Sequence, residues 1–492
     1  MSKQSCRLVA ALGVVAFSLF LIGSAERAAS ATPNAPTFVV NSVGDAVAAG
    51  PLNDGVCSTT PQPYPPVPTC TLRAALIKAN HWPGGGVTIT FDPTQNGAPI
   101  LLTLTPVGDD DALSGDLNIS QTTHLIGSGS GLTIIDAQAL SDRIFWIEPG
   151  ATVDISGVTL QHGTVSTNGG GGVYVDHNAA LTLTYSAVLS NTDQSIAGGG
   201  GLASQGTLTV THSLVQGNST SKDGGGLNLD NGSALINATT ISGNHATGAT
   251  SGGGGLINLT PAITLTRSTI SGNTAHYGGG VENEYGQMTI INSTLSGNSA
   301  LGDGGGLVVV GFGSSTKLDS VTISDNTADS GQTGAGKGGG VAIEPGNDPL
   351  TLQNSLLADN YGTVNVGGFS WISFRDDCFG APISAGYNLL TFLSTPDVHT
   401  CTFTPGVGDM VTTTVNLGTL QDNGGPTWTQ ALQPGSAAID AANPGGCNGP
   451  AALPLTIDQR GFPRVANGAG LKRCDIGAFE VQRMVYLPLV RR

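Results

Sequence analysis

The stretch from Gly252 to Asn298 reads GGGGLINLTPAITLTRSTISGNTAHYGGGVENEYGQMTIINSTLSGN and contains the same pattern twice. Each copy has a run of glycines, an apolar residue that opens a β-rich segment, and an asparagine that follows Ser-Gly. The pattern occurs seven times in the chain, in variants that keep the glycine run and the asparagine. Self-similarity with a period of about 20 to 50 residues indicates a repeat architecture, in which each unit stacks on the next.

Two series of residues mark the repeats. Successive apolar residues after the glycine runs are separated by 25 to 34 positions. These residues are Val173, Leu202, Leu227, Leu256, Val281, Leu307 and Val341. The closing asparagines follow the same rhythm and are Asn191, Asn218, Asn244, Asn273, Asn298, Asn326 and Asn360.

Each repeat has room for three short strands. One follows the glycine run, one lies in the middle, as at Leu181 and Leu183, and one precedes the asparagine. Because three strands fit such a short unit and two helices do not, the sequence predicts an all-β, right-handed parallel β-helix. Its coils should stack at about 4.8 Å.

Stacked coils place equivalent asparagines in a ladder, where side-chain amides hydrogen bond from coil to coil. We therefore interpret these asparagines as structural and expect a substitution such as that of Asn273 to cost about 1 kcal/mol.

The glycine runs permit close approach between coils. They lead into strands rather than a helix, which argues against a nucleotide-binding loop.

The amino terminus has the features of a secretory signal peptide. Basic residues precede the apolar stretch Leu8 to Ile22, and Ala29-Ser30-Ala31 forms a small-residue cleavage site. Removal of residues 1–31 would leave 15 basic and 33 acidic residues, a net charge of −18. Such a charge disfavours binding to nucleic acid. No other segment predicts a membrane span, so we expect a secreted or cell-surface protein of bacterial type.

Six cysteines remain after the signal, and they fall into three neighbouring pairs outside the repeats. In an exported protein this arrangement predicts disulfides that staple the two ends, although six cysteines allow fifteen pairings and zinc is the alternative. The candidates are Cys57 with Cys70, Cys378 with Cys401, and Cys447 with Cys474.

An open β-helix must cover its terminal strand edges. The segment Cys70 to Asn80 has apolar residues at helical spacing, which predicts an amphipathic capping helix. Its Cys-Thr-Leu-Arg-Ala-Ala motif resembles the CSLREA-type amino-terminal module of exported bacterial β-helix proteins, with Ala74 in place of the usual acidic residue.

The carboxy-terminal region resembles the choice-of-anchor type Q domain. The resemblance rests on Asp422-Asn-Gly-Gly-Pro426, Pro434-Gly-Ser-Ala-Ala-Ile-Asp440, Asp458-Gln-Arg-Gly461 and Cys474-Asp-Ile-Gly-Ala-Phe-Glu480. The repeats themselves are similar to those of polymorphic outer membrane proteins and the pectate-lyase-like superfamily. These resemblances imply a secreted or surface protein, and the families carry no uniform chemistry.

The predicted organisation has five parts: a signal peptide (1–31), an amino-terminal capping module (32–92), a parallel β-helix (93–390), a choice-of-anchor Q-like region (391–483) and an apolar-basic tail (484–492). The tail is too short to span a bilayer. It resembles segments that direct sorting or attachment, and a final strand with a basic end is the alternative.

Catalysis would require clustered carboxylates, with a base or with a water between them. The candidates are Asp109-Asp110-Asp111 and Asp376-Asp377 beside Arg375, all in predicted polar loops. The acids and bases that a polygalacturonase-like site would have on successive coils are absent. Gln161-His162-Gly163 is the segment most similar to one of its motifs, and it lacks the other residues. We therefore predict no catalytic residues.

Asp223 and Asp303 each precede a glycine run and could line a cation-binding edge with Glu282 and Glu284. Calcium is the one cofactor that this edge suggests, although an Asp beside Gly is ordinary turn chemistry. Among the tryptophans, Trp371 is the predicted contact for a ligand.

These observations favour a non-catalytic exported β-helix that serves adhesion, surface structure or contact with an extracellular glycan or protein. Repetition of one weak site along a rigid face would supply avidity. The alternative is a polysaccharide lyase or glycoside hydrolase of the pectate-lyase-like superfamily, with its site in long loops.

Overall fold

The chain winds into a right-handed parallel β-solenoid of about nine turns, which confirms the predicted fold class. The computed structural model describes residues 35–108, 111–259, 262–332, 336–344, 346, 349–365, 371–391, 400–449, 454–464 and 473–482. The predicted signal peptide and the tail from residue 484 lie outside these residues.

Three long parallel sheets form the walls, and a short fourth sheet lies between two of them. Sheet A consists of Thr37–Val40, Val87–Phe91, Thr123–Ile126, Thr152–Ser156, Ala180–Thr184, Thr207–Thr211, Ser233–Asn237, Ala262–Thr266, Gln287–Ile291, Ser315–Asp319, Leu350–Gln353 and Ile383–Ser384. Sheet B consists of Ile100–Leu101, Ile134–Asp136, Thr159–Gln161, Ala187–Leu189, Leu214–Gln216, Thr240–Ser242, Thr269–Ser271, Thr294–Ser296, Thr322–Ser324, Leu356–Ala358, Leu389–Leu390 and Met410–Val411.

Sheet C consists of Leu117–Ile119, Phe145–Ile147, Val173–Val175, Leu202–Ser204, Leu227–Leu229, Leu256–Asn258, Val281–Asn283, Leu307–Val309, Val341–Ile343 and Cys378–Phe379. Sheet D consists of Thr164–Val165, Thr192–Asp193, Ser219–Thr220, His245–Ala246, Thr274–Ala275 and Ser299–Ala300. The remaining elements are the helix Leu72–Asn80, the 3₁₀ turn Pro93–Gln95 and two antiparallel hairpins, Tyr361–Asn365 with Trp371–Arg375 and Leu417–Gln421 with Thr429–Leu432.

The core is a stack of inward-facing apolar residues in register. In sheet B, for example, Val188 pairs with Val215 and then Ile241, and all three are fully buried. Because side chains alternate along a strand, the neighbouring residues point outward and form the wall's surface. Sheet D escaped the sequence analysis since its strands have only two residues, too few to show an alternating pattern.

The coils begin earlier and end later than the boundaries predicted from sequence. Thr37–Val40 and Val87–Phe91 already pair as the first strands of sheet A, within the predicted capping module. Met410–Val411 extends sheet B beyond residue 390. The first and last strands therefore belong to the same ladders as the repeats.

The predicted helix forms over Leu72–Asn80, and all nine of its residues are buried, the polar ones included. Arg73 Nε donates to Asp45 Oδ1 at 2.5 Å and Lys78 Nζ donates to Asp54 Oδ1 at 3.0 Å. The loop before the helix thus supplies carboxylates that neutralise both cations. The spacing of apolar residues in the helix could not predict that its cations would be buried, since the neutralising carboxylates come from another part of the chain.

The three neighbouring cysteine pairs are joined as disulfides in the structure. The third, Cys447–Cys474, packs in one buried cluster with Leu356 and Leu389 of sheet B. It belongs to the carboxy-terminal region, which folds back along the outer surface of sheet B. Thr269, Thr294 and Thr322, in register on three successive strands, hydrogen bond to this region. No helix among the described residues has the length and apolar character to cross a membrane.

Candidate functional site

The asparagine ladder is a continuous, fully buried column of side chains. Each Nδ2 donates to the Oδ1 of the next asparagine at 2.9–3.0 Å, from Asn191 through to Asn360. Each Nδ2 also donates to a backbone carbonyl of the preceding coil, as Asn273 does to Ile241 at 3.0 Å. With donors and acceptors engaged in this way, the ladder stabilises the turns and offers no surface to a ligand.

Asp377 terminates the ladder. Its Oδ1 accepts from Asn360 Nδ2 at 2.9 Å, and its Oδ2 accepts from the Thr391 backbone at 2.9 Å and hydroxyl at 2.7 Å. Burial raises the pKa of this carboxyl to about 6, against the opposing effect of these hydrogen bonds. A group engaged in this way closes the column, so the sequence candidate is structural.

The other catalytic candidates do not converge on one site. Asp376 Oδ2 accepts from the Gly338 N–H at 2.8 Å, and Arg375 pairs with Asp359 at 2.6 Å. Asp111 lies 3.5 Å from His81 Nε2, and Asp109 and Asp110 lie outside the described residues. His162 and Gln161 both contact Asp136, while the Gly163 N–H donates to Asn191 at the start of the ladder.

The predicted cation-binding edge is divided into two carboxyl pairs on the outer surface of sheet C. We call this surface the acidic face and define it by Asp223, Glu282, Glu284, Asp303 and Glu344. Among the described residues there is no group of three or more His, Cys, Asp or Glu side chains that could hold a metal ion.

The first pair meets at Gly252. Asp223 Oδ1 accepts the Gly252 N–H at 2.8 Å. Glu282 Oε2 lies only 1.3 Å from where a Cβ at position 252 would be, so the absence of a side chain there makes room for the carboxyl. Burial, followed by repulsion from Glu284 and Asp223, raises the pKa of Glu282 to about 8.

The second pair joins Asp303 to Glu344, which the sequence analysis missed. Burial, followed by the nearby carboxyl group of Asp303, raises the pKa of Glu344 to about 7. Asp303 Oδ1 also accepts the Lys337 N–H at 2.6 Å. Glu344 lines a cavity of about 500 Å³ with Phe379, and Lys337 Nζ lies 4.5 Å from the centre of that ring.

Glu282 makes a pH-dependent contribution that a single substitution should remove. Its folded-state pKa is raised from 4.5 to about 8, so the folded state holds a proton that the unfolded state releases between these values. The free energy of unfolding therefore falls as pH rises through this range. We expect Glu282→Gln to match the wild type near pH 4 and to exceed it at pH 8 by on the order of 3 kcal/mol. Parallel pH dependences of the melting temperature in the two proteins would contradict this assignment.

An open trough runs along the part of sheet B that the carboxy-terminal region leaves uncovered. Its floor carries Leu214, Gln216 and Thr240, and two contiguous hollows of about 610 and 490 Å³ share Leu214 and Thr240. Tyr185 lines the first hollow and is 64% exposed, with its ring stacked on His212 at 4.9 Å. Trp428 lines the second hollow and is 56% exposed.

The residues that line the trough include no Lys, Arg, Asp or Glu. Burial and the nearby Arg267 lower the pKa of His212, which favours the neutral ring. The trough therefore presents hydroxyls, an amide and aromatic rings without a formal charge. Trp371, the tryptophan predicted to contact a ligand, has a side chain outside the described residues. Trp428 could not be predicted, because only the fold-back of the chain brings it to sheet B.

A family model described as a right handed beta helix region matches residues 201–379. No curated protein matches the chain. Among solved structures, the chain is similar to pectate lyase Pel9A, with 14% identity, a TM-score of 0.44 and coverage of 89% of this chain and 96% of that one.

It is also similar to a rhamnogalacturonan lyase, with 9% identity, a TM-score of 0.32 and coverage of 82% and 96%. At these identities and TM-scores we draw no conclusion about activity from either lyase. The family match and the order of the sheets together identify the architecture as a right-handed parallel β-helix.

Proposed function

We propose that this protein is an exported, surface-located β-helix that binds a neutral glycan in the sheet B trough without cleaving it. The observation that carries this proposal is the trough itself, an uncharged groove with an exposed aromatic ring in each of its two hollows. Sugar hydroxyls can hydrogen bond to Gln216 and Thr240. The apolar face of a sugar ring can cover Trp428, which pairs an apolar body with a polar edge.

The absence of charge along the trough selects against acidic polysaccharides, which would gain no cationic partner there. The sequence patterns that resemble a signal peptide, a CSLREA-type module and a choice-of-anchor type Q domain support export and surface location. Amino-terminal sequencing of the mature protein tests the export step, and we expect it to begin at Thr32.

Trp428→Ala should weaken neutral-glycan binding at least tenfold, because it removes the stacking surface in one of the two hollows of the trough. We would measure affinities for a panel of neutral polysaccharides by calorimetry and affinity electrophoresis. Phe312→Ala is the matched control, since this ring is 82% exposed on the loop between Leu307–Val309 and Ser315–Asp319. Equal affinity in the wild type and Trp428→Ala would contradict the proposed site.

The same polysaccharides, incubated with the protein and analysed by mass spectrometry, test whether it cleaves its ligand. We expect full-length chains. Shortened products would support the alternative, a polysaccharide lyase or glycoside hydrolase, and would direct attention to the Asp303–Glu344 pair.

A further inference from the structure

The acidic face contains carboxyl groups that the fold buries without supplying donors. Glu282 is only 8% exposed, and it accepts no hydrogen bond from any described residue. Its carboxyl faces Asp223 across Gly252, and Glu284 adds a third negative group nearby. Lys222, beside Asp223, is exposed. Burying a carboxyl without a donor is costly, so this position would gain from a cationic donor.

The second carboxyl pair also leaves one oxygen without a donor, although Asp303 accepts the Lys337 N–H and the positive charge of Lys337 acts to lower the pKa of Glu344. Glu344 Oε1 is buried and accepts no hydrogen bond from a described residue. The cavity of about 500 Å³ opens beside it, with Phe379 and Ile383 among its walls. A ligand that enters this cavity would meet the Phe379 ring and the Glu344 carboxyl together.

The two pairs follow each other along the solenoid axis. Glu282 lies in Val281–Asn283 and Glu344 directly follows Val341–Ile343, with only Leu307–Val309 between these strands in sheet C. Two coils at about 4.8 Å each separate Glu282 from Glu344 by about 10 Å along the axis. This spacing is close to a disaccharide repeat, and a β-1,4-linked chain presents the same ring face at every second sugar.

A primary ammonium group matches this chemistry. It supplies three N–H donors and a positive charge, and it can contact two carboxyl groups at once. A metal ion fits less well, since no cluster of three or more potential ligands occurs in the part of the chain that the structure describes. Exposed Tyr285, next to Glu284, and Phe379 add ring surfaces beside the two pairs.

We propose that the acidic face is a second glycan site, which binds 2-amino sugars through ammonium contacts at Asp223–Glu282 and at Asp303–Glu344. It rests on the proposed function only in that the ligand is a glycan. The acidic face is a different surface from the trough, and its proposed ligand is cationic, whereas the ligand of the trough is neutral.

Calorimetry of the full-length mature protein with a glucosamine hexamer tests the inference, and the N-acetylated hexamer is the ligand control. The acetylated hexamer is itself a neutral glycan, so both hexamers are tested in Trp428→Ala, in which the trough is impaired. There we expect the glucosamine hexamer to bind and the acetylated one to fail. Glu282→Gln and Glu344→Gln should each weaken binding about tenfold, and the double variant should abolish it. Asp92→Asn is the control for lost charge, because Asp92 is a partly exposed turn residue whose contact with Thr94 an asparagine can keep.

Proton release provides a second readout that a general electrostatic effect would not reproduce. An ammonium group that binds Glu282 should displace its proton near pH 6.5. We therefore expect calorimetry in buffers of different ionisation enthalpy to show proton release in the wild type and less in Glu282→Gln. In Trp428→Ala, equal affinity for the acetylated and the glucosamine hexamer would overturn the inference. Unchanged affinity for the glucosamine hexamer in both glutamine variants would also overturn it.

The outcomes separate the two proposals. Loss of neutral-glycan binding in Trp428→Ala with intact glucosamine binding supports two independent sites. Neutral-glycan binding without glucosamine binding overturns the inference and leaves the trough. Binding of oligolysine, but not of the glucosamine hexamer, also overturns the inference and identifies a basic peptide as the partner.

Discussion

Replacing Asn273 by alanine should lower the free energy of unfolding by about 3 kcal/mol. Its side chain donates to Ile241 O and Asn298 Oδ1 and accepts from both the backbone and the side-chain nitrogen of Asn244. The variant loses these four hydrogen bonds at a fully buried position. It also leaves the partner groups on both neighbouring coils without a hydrogen bond. The expected cost therefore exceeds the single hydrogen bond that the sequence alone suggests.

Chemical denaturation of the mature protein measures this effect. Asn231→Ala is the matched control, because Asn231 is exposed in a turn and should tolerate the change within about 0.5 kcal/mol. A loss below 1 kcal/mol in Asn273→Ala would show that the ladder contributes little to stability.

Replacing Arg464 by methionine should destabilise the attachment of the carboxy-terminal region by about 3 to 5 kcal/mol. The buried guanidinium pairs with Glu480 at 3.1 Å, and it also donates to Asn292 Oδ1 at 2.8 Å and Gly477 O at 2.7 Å. Asn292 belongs to the solenoid, so one side chain links the two parts. The variant takes a cation away from the buried Glu480 carboxylate.

Hydrogen exchange resolves this effect along the chain. We expect faster exchange in residues 416–464 and 473–482, with little change in the central coils. Arg375→Met is the control, since its ion pair with Asp359 is partly exposed and should be worth about 1 kcal/mol or less. Uniform acceleration across all coils would show instead that the carboxy-terminal region and the solenoid unfold as one unit.

The sequence predicts the solenoid because each repeat carries its own strand and turn signals. Glycine runs, apolar residues and closing asparagines recur at nearly constant spacing. When the coils stack, each residue therefore lies next to the equivalent residue of the neighbouring repeat. Val188, Val215 and Ile241 follow from this periodicity alone, as does the column that contains Asn273. In a repeat architecture of this kind, the local sequence pattern is enough to predict which residues pair between neighbouring coils.

The candidate sites follow this rule only in part. Asp223, Glu282, Glu284 and Asp303 are visible from their positions beside glycine runs and strands. Their division into two pairs depends on the reach of Glu282 to Gly252 and on Glu344, whose coil has a longer glycine-to-glycine spacing. Asp377 resembles a member of an acidic pair in sequence, and only stacking shows that it closes the ladder.

By itself, the sequence determined the right-handed β-helix and the buried asparagine column, because both arise from contacts between neighbouring, similar coils. Only the tertiary structure decided that the carboxy-terminal region lies along sheet B, that Trp428 lines a hollow of the trough, and that Glu282 is buried beside Asp223. These features depend on contacts between unlike segments, some more than 150 residues apart, such as Thr269 with Trp428. No local periodicity encodes such contacts, since their free energy comes from burial and charge pairing that exist only once the coils are stacked.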